Sequence, residues 1–196
     1  MSDKETIDVY NAKAQDYVDL VTTDTPNRHL RAFMAALPTG GHALDLGCGP
    51  GNSAAMMRDA GFRVTAIDAS AEMAKIGTQK YNLPITVGTF DDVTEVSTYD
   101  GIWASFSLLH APRADVPRHL KSIHTALKPK GVFVIGVKTG SGEERDDIGR
   151  QYTYFEKSEL DQLLRDAGFT PTDTFEGREK GLAGTLDPFI VVTAHA

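Results

Sequence analysis

The stretch Asp45-Leu46-Gly47-Cys48-Gly49-Pro50-Gly51 constrains this chain more than any other. It sets three glycines within five residues, directly after the apolar run Ala43-Leu44-Asp45-Leu46 and before a helix-forming run over 52–60. Glycine takes left-handed backbone angles at little cost and lets a ligand approach the main chain closely. A helix N-terminus adds unpaired N–H groups. A strand, glycine turn and helix in that order belong to a parallel sheet flanked by helices, with ligands at the carboxyl end of the first strand.

The rest of the chain keeps this rhythm. Apolar runs predict strands over 62–67, 84–87, 99–105 and 132–137. Between them fall helices over 70–81, with Ser70 as N-cap, and a helix carrying Val116, Leu120, Ile123 and Leu127. Residues 128–131 (Lys-Pro-Lys-Gly) predict a turn, 156–167 a helix stopped by Gly168, and 169–175 and 188–194 two further strands. The expectation is an α/β, doubly wound, Rossmann-like and mostly parallel sheet. Before it, Ile7, Tyr10, Ala14, Tyr17 and Val18 share one helical face, and Leu30, Phe33, Met34 and Leu37 another. Residues 1–40 are therefore expected as a helical cap on a core at 41–196. Residues 139–150 (TGSGEERDDIGR) carry no core pattern and predict a mobile polar loop.

Composition narrows the partners. With 20 Lys and Arg against 27 Asp and Glu, the net charge of -7 disfavours nucleic acid and anionic membranes. No apolar run approaches the ~18 residues of a membrane span, and the first ten residues lack the pattern of a secretory signal. A single cysteine, Cys48, fits a reducing cytoplasm. Six histidines without paired-ligand spacing predict no metal site.

The glycine spacing selects among ligands. A dinucleotide fingerprint, G-x-G-x-x-G, needs its third glycine where Asn52 stands, and no Lys follows Gly51 as a phosphate-binding P-loop requires. Asp45, two places before the first glycine, repels a pyrophosphate but suits an ammonium. Asp68 closes the second strand about twenty residues after the loop, where a carboxylate accepts from ribose hydroxyls.

These residues resemble class I S-adenosylmethionine-dependent methyltransferases. The run from His42 to Gly51 matches the family's first motif, Asp68 its ribose-binding acid, and Tyr99-Asp100-Gly101-Ile102-Trp103-Ala104 its fourth strand. Leu108-Leu109-His110 and Leu127-Lys128-Pro129-Lys130-Gly131 follow in the family's order, so the likeness runs from about Tyr10 to Phe169. More narrowly, the chain is similar to small bacterial members related to tellurite-resistance and quinone-biosynthesis methyltransferases. The resemblance implies a seven-stranded sheet with an antiparallel last strand. It implies S-adenosylmethionine as cofactor, S-adenosylhomocysteine as product, and in-line methyl transfer to a small molecule by a monomer or homodimer.

It also implies residue roles. Gly47, Cys48, Gly49 and Gly51 pass beneath the methionine part, Asp45 sits near its ammonium, and Asp68 holds the ribose. Ala69, Ser70 and Met73 wall the adenine, Ala104 reaches the cofactor from the fourth strand, and Tyr10 and Tyr17 match aromatics that cap it. Thr89 stands where the family carries an acid, which leaves Phe90 and Asp91 as the expected adenine contacts. Asp91-Asp92 reads equally as a polar turn, and ordinary packing explains the two tyrosines as well. His110 is the candidate general base, with a structural role as its alternative. Arg113, Arg150, Tyr152 and Tyr154 fall on the rim where an acceptor would enter. The N-terminal helices and the 139–150 loop are candidate lids. Rival readings are a non-catalytic cofactor-binding module and an NAD(P)-dependent oxidoreductase.

Overall fold

A computed structural model describes residues 3–196; Met1 and Ser2, the start of the expected 1–40 segment, lie outside the described residues. Strands β1 (His42–Leu46), β2 (Arg63–Asp68), β3 (Thr86–Val87), β4 (Tyr99–Ser105) and β5 (Leu127–Lys138) run parallel. Past them lie β8 (Thr170–Lys180) and β9 (Leu186–His195), with β9 antiparallel to both β5 and β8. The sheet order is β3-β2-β1-β4-β5-β9-β8, seven strands with the last one in sequence reversed, as the resemblance implies. Because β2 and β4 flank β1 on opposite sides, the order reverses there, which opens a crevice at the carboxyl ends of β1 and β4.

The central strands read as unbroken apolar runs because both faces are covered. On β4 and β5, Ile102, Ala104, Phe133, Ile135 and Val137 point to one side, where Val116, Leu120 and Ile123 of α6 (Val116–Ala126) and Leu160 and Leu164 of α7 (Lys157–Asp166) meet them. The alternate residues Trp103, Val132 and Val134 face Leu30, Phe33 and Leu37 and, from α4 (Asn52–Asp59), Met57. Gly101 permits this second packing, since a Cβ there would stand 2.6 Å from Leu37 Cδ2.

Three expectations are corrected. The N-terminal segment forms three helices, α1 (Lys4–Ala12), α2 (Ala14–Val21) and α3 (Arg28–Ala36), because the chain breaks at Lys13 (φ -111°, ψ 22°) between α1 and α2. Of these, α1 and α2 pack on α5 (Ala71–Tyr81), whereas α3 packs on the sheet face. The 128–131 segment lies within β5, with the expected turn reduced to an irregular register opposite Tyr99–Gly101 and a positive φ of 67° at Lys130. The 139–150 stretch is ordered rather than a loose loop. It includes β6 (Glu143–Arg145), which pairs with β7 (Gln151–Thr153), and Asp146 Oδ1 accepts from the N–H groups of Ile148 and Arg150 to fold the connection. Side-chain-to-backbone bonds of this kind leave no trace in apolar periodicity.

α5 lies against the glycine loop. A Cβ on Gly77 would stand 2.2 Å from the Pro50 carbonyl oxygen. An alanine in a helix interior normally gains about 1 kcal/mol over glycine. Here Gly77→Ala instead costs about 1–3 kcal/mol through overpacking, read as a lowered urea midpoint; a stabilised variant would contradict this contact.

Candidate active site

The first wall of the crevice is built by β1, β2 and the loops that leave them. Gly47 (φ 71°) and Gly49 (φ 55°) hold left-handed angles, and Gly47 N and Cys48 N donate to the Ile67 carbonyl at 2.8 and 3.0 Å. A side chain is excluded at Gly47, where a Cβ would stand 2.3 Å from Ser107 Cβ. Asp68 ends β2 and accepts from Gly49 N at 2.6 Å through Oδ2 and from Ser70 N at 2.8 Å through Oδ1. Each oxygen keeps a lone pair for a further donor. Burial pushes the Asp68 pKa up, against those two backbone bonds.

A cavity opens between this wall and α1, a concave setting of the kind in which small-molecule sites form. Of the residues singled out in the sequence, Tyr10, Tyr17, Gly47, Gly49, Asp68, Ala69, Ser70, Met73, Thr89, Phe90 and His110 line it. Sequence reasoning missed Asp3, Thr6, Ile7, Leu46, Ile67, Gly88, Phe106 and Ser107. The position of Phe106 and Ser107 just past the carboxyl end of β4 was the signal available for them.

Five of the expected cofactor contacts stand outside the cavity, as do the rim candidates Arg113, Arg150, Tyr152 and Tyr154. Asp45 is buried behind the glycine loop, beside the Ala54 N–H in the first turn of α4. Its Oδ2 meets no donor among the described residues, and burial followed by the Asp68 charge pushes its pKa up to about 8. Cys48 is buried in the apolar cluster with Ala54, Ala66 and Leu83. Gly51 lies under Ile85, and Ala104 is buried in the main core. Asp91 is exposed and paired with Arg118, because Thr89 and Asp92 box a single 3-10 turn over Phe90–Asp92 that turns it outward.

The opposite wall carries His110, which ends a 3-10 turn over Leu108–His110; the expected helix starts only at Val116, with Pro117 in its first turn. Its Nδ1 lies 2.6 Å from the Gln151 carbonyl, and its Nε2 lies 2.9 Å from Tyr10 Oη. A carbonyl only accepts, so Nδ1 carries the proton and Nε2 takes the tyrosine's. Burial lowers the His110 pKa to about 4, reinforced by Arg150 and Lys138 and opposed by the Gln151 bond and by Asp146. A neutral imidazole already engaged at both nitrogens is not a free base. Among the described residues no three His, Cys, Asp or Glu converge as metal ligands, and no helix is long and apolar enough to cross a membrane.

Residues 22–174 match the family described as "Methyltransferase domain". The chain belongs to that family. The chain is 38% identical over 104 residues to a ubiquinone/menaquinone biosynthesis C-methyltransferase of Rubrivivax gelatinosus, covering 52% of this chain and 41% of that protein. It is 30% identical over 155 residues to a 2-methyl-6-phytyl-1,4-hydroquinone methyltransferase of Synechocystis, covering 76% of this chain and 47% of the relative. It thus spans under half the length of both relatives. Among solved structures, the Burkholderia thailandensis 1,6-didemethyltoxoflavin-N1-methyltransferase, bound to its substrate and S-adenosylhomocysteine, superposes with a TM-score of 0.74 at 27% identity, covering 96% and 86% of the two chains. The family's cofactor is S-adenosylmethionine, as the sequence resemblance implied.

Two outcomes test the geometry. Asp68→Ala removes the two open carboxylate acceptors and is expected to raise the Kd for S-adenosylhomocysteine at least tenfold, about 1.4 kcal/mol; unchanged affinity in calorimetry takes Asp68 out of the site. His110, whose pKa falls from 6.5 to about 4 on folding, leaves the unfolded chain holding a proton that the folded chain lacks. Stability therefore rises with pH between these values. Urea midpoints measured at pH 5 and 6.5 should differ less in His110→Asn than in the parent.

Proposed function

We propose that this chain transfers a methyl group from S-adenosylmethionine to a small neutral acceptor. The observation that carries the reading is the two-sided cavity at the β1/β4 crevice. One side is the glycine loop with Asp68; the other is Tyr10 and His110.

The residues fit the cofactor. The Gly47 cradle admits main-chain approach that a Cβ would block, and Asp68 offers two acceptor positions to a ribose. The Asp68 carboxyl, which lines the cavity beside the loop, presents acceptor oxygens there, which favours a ligand that brings donors. When bound, S-adenosylmethionine supplies an electrophilic methyl carbon and a good leaving group. The chain's own contribution is alignment and exclusion of water. Phe90, Met73 and Ile67 offer apolar surface for the adenine, while Tyr17, whose ring would stand 3.3 Å from a Cβ on Gly49, covers the loop. Holding the acceptor at ~3–3.5 Å from the methyl carbon supplies much of the acceleration.

On this reading α1 and α2 cap a core to which α3 belongs, and the protein works in the cytoplasm as a monomer or homodimer without nucleic-acid or membrane partners. A net charge of -7 and a lone cysteine support that setting. The hydroquinone and heteroaromatic substrates named for the relatives support a small-molecule acceptor. Incubation with methyl-labelled cofactor and a metabolite extract should move label into a small product, and Asp68→Ala should abolish the transfer. Tight cofactor binding with no labelled product would mark a non-catalytic module instead.

A further inference from the structure

Arg150 stands outside the cavity, yet it is the charged group that the cavity's chemistry leans on. Its side chain is only 3% exposed. Nε and Nη2 donate to Asp146 Oδ2 at 3.0 and 2.7 Å, and the remaining arm, Nη1, donates to Tyr10 Oη at 2.9 Å. The guanidinium also lies 5.3 Å from the Tyr10 ring centre and 5.2 Å from that of Tyr152. Tyr10 Oη therefore has two fixed neighbours: it accepts from Arg150 and donates to His110 Nε2 at 2.9 Å. The His110 side of that bond is fixed in turn by the Gln151 carbonyl. One lone pair of the tyrosine oxygen remains uncommitted, and Tyr10 and His110 both line the cavity.

We propose that Arg150, clamped by Asp146, is a positioning residue that holds Tyr10 Oη as the proton acceptor for a neutral hydroxyl- or amine-bearing substrate, with His110 Nε2 as the next station. The inference rests on the methyl-transfer reading above. The incoming O–H or N–H donates to the free lone pair of Tyr10 Oη. As the acceptor atom bonds to the methyl carbon, the carbon–sulfur bond breaks and its electron pair stays on sulfur. The acceptor's proton passes to Tyr10 Oη, and the proton already on Tyr10 passes to His110 Nε2. One positive charge leaves the sulfonium and one appears on the imidazole, whose Nδ1–H stays on the Gln151 carbonyl. His110, which burial keeps from holding a proton, then returns it as product leaves. The cations at this end are already matched, Arg150 by Asp146 and Lys138 by Asp187, so the arrangement favours a neutral acceptor over a carboxylate.

The test uses Tyr10→Phe and Arg150→Lys in the full chain. Lysine keeps the charge opposite Asp146 but lacks the fork that reaches both partners, so it rescues a structural role and not a positioning one. Nitrogen-15 histidine spectra of the parent, with and without S-adenosylhomocysteine, should show His110 with its proton on Nδ1. The Nε2 resonance should move in both variants, while affinity for S-adenosylhomocysteine stays within about threefold. A proton on Nε2 in the parent, or an unmoved resonance in the variants, overturns the proposal. With hydroquinone as probe acceptor, kcat should fall about a hundredfold in both variants, at little change in KM for S-adenosylmethionine. With thiophenol, ionised at pH 8, the loss in kcat should be at least tenfold smaller than with hydroquinone; equal losses on both probes overturn the proton role. Should Arg150→Lys fail to fold, Tyr10→Phe, which removes one oxygen, carries the same comparisons. A parent that binds no S-adenosylhomocysteine defeats the methyl-transfer reading, while the histidine spectrum still decides the network.

Discussion

One carboxylate joins the parts of this site. Asp68 ends β2 and accepts from Gly49 in the loop after β1 and from Ser70 at the start of α5, so two independent turns are locked to a single side chain. Without that tie, a loop with three positive-φ glycines would have many conformations open to it. The arrangement buries negative charge, and burial raises the pKa of Asp68 and of its neighbour Asp45. Buried carboxylates short of partners favour a ligand that brings hydroxyl donors and a positive charge. An adenosine bearing a sulfonium and an ammonium brings both.

The second wall is assembled differently. α1 reaches α5 through Asn11 Oδ1, which accepts from Ser70 Oγ at 2.7 Å, and reaches the β6–β7 hairpin through Thr6 Oγ1, Asp3 and Tyr10. The Arg145–Asp3 pair is half-exposed, and pairs of that kind contribute about 0–1 kcal/mol each. The Arg150 side chain, by contrast, is buried. A cover held by several weak bonds around one strong one suits a site that must open to exchange ligands. The same contacts bring Tyr10, 100 residues away in sequence, to His110.

Legibility in the sequence followed the range of each interaction. β4, α4 and the Ser70 N-cap were readable because apolar periodicity, glycines and capping residues act within a few residues. Asp68 and the glycine loop were readable because their chemistry is local to one strand–turn–helix unit. The break at Lys13 was not, since Ile7, Tyr10, Ala14 and Tyr17 keep one face across it. Nor was the hairpin at Glu143–Thr153, which is held by Asp146, Thr6 and the Arg145–Asp3 pair rather than by an apolar stripe. Asp91 met the motif by position, but Arg118, 27 residues on, sets where its carboxylate goes.

The chain by itself determined its class of fold and the ligand type at the first strand, because strand and helix periods, glycine angles and a strand-ending acid all act at short separation. Only the folded arrangement decided what the far wall does. His110 read as a free base in one dimension. In three, its nitrogens are taken by Tyr10 and Gln151, and Arg150 fixes the hydroxyl between them. Hydrogen bonds between residues 41, 100 and 140 positions apart form only after the sheet has assembled, and no local pattern encodes them.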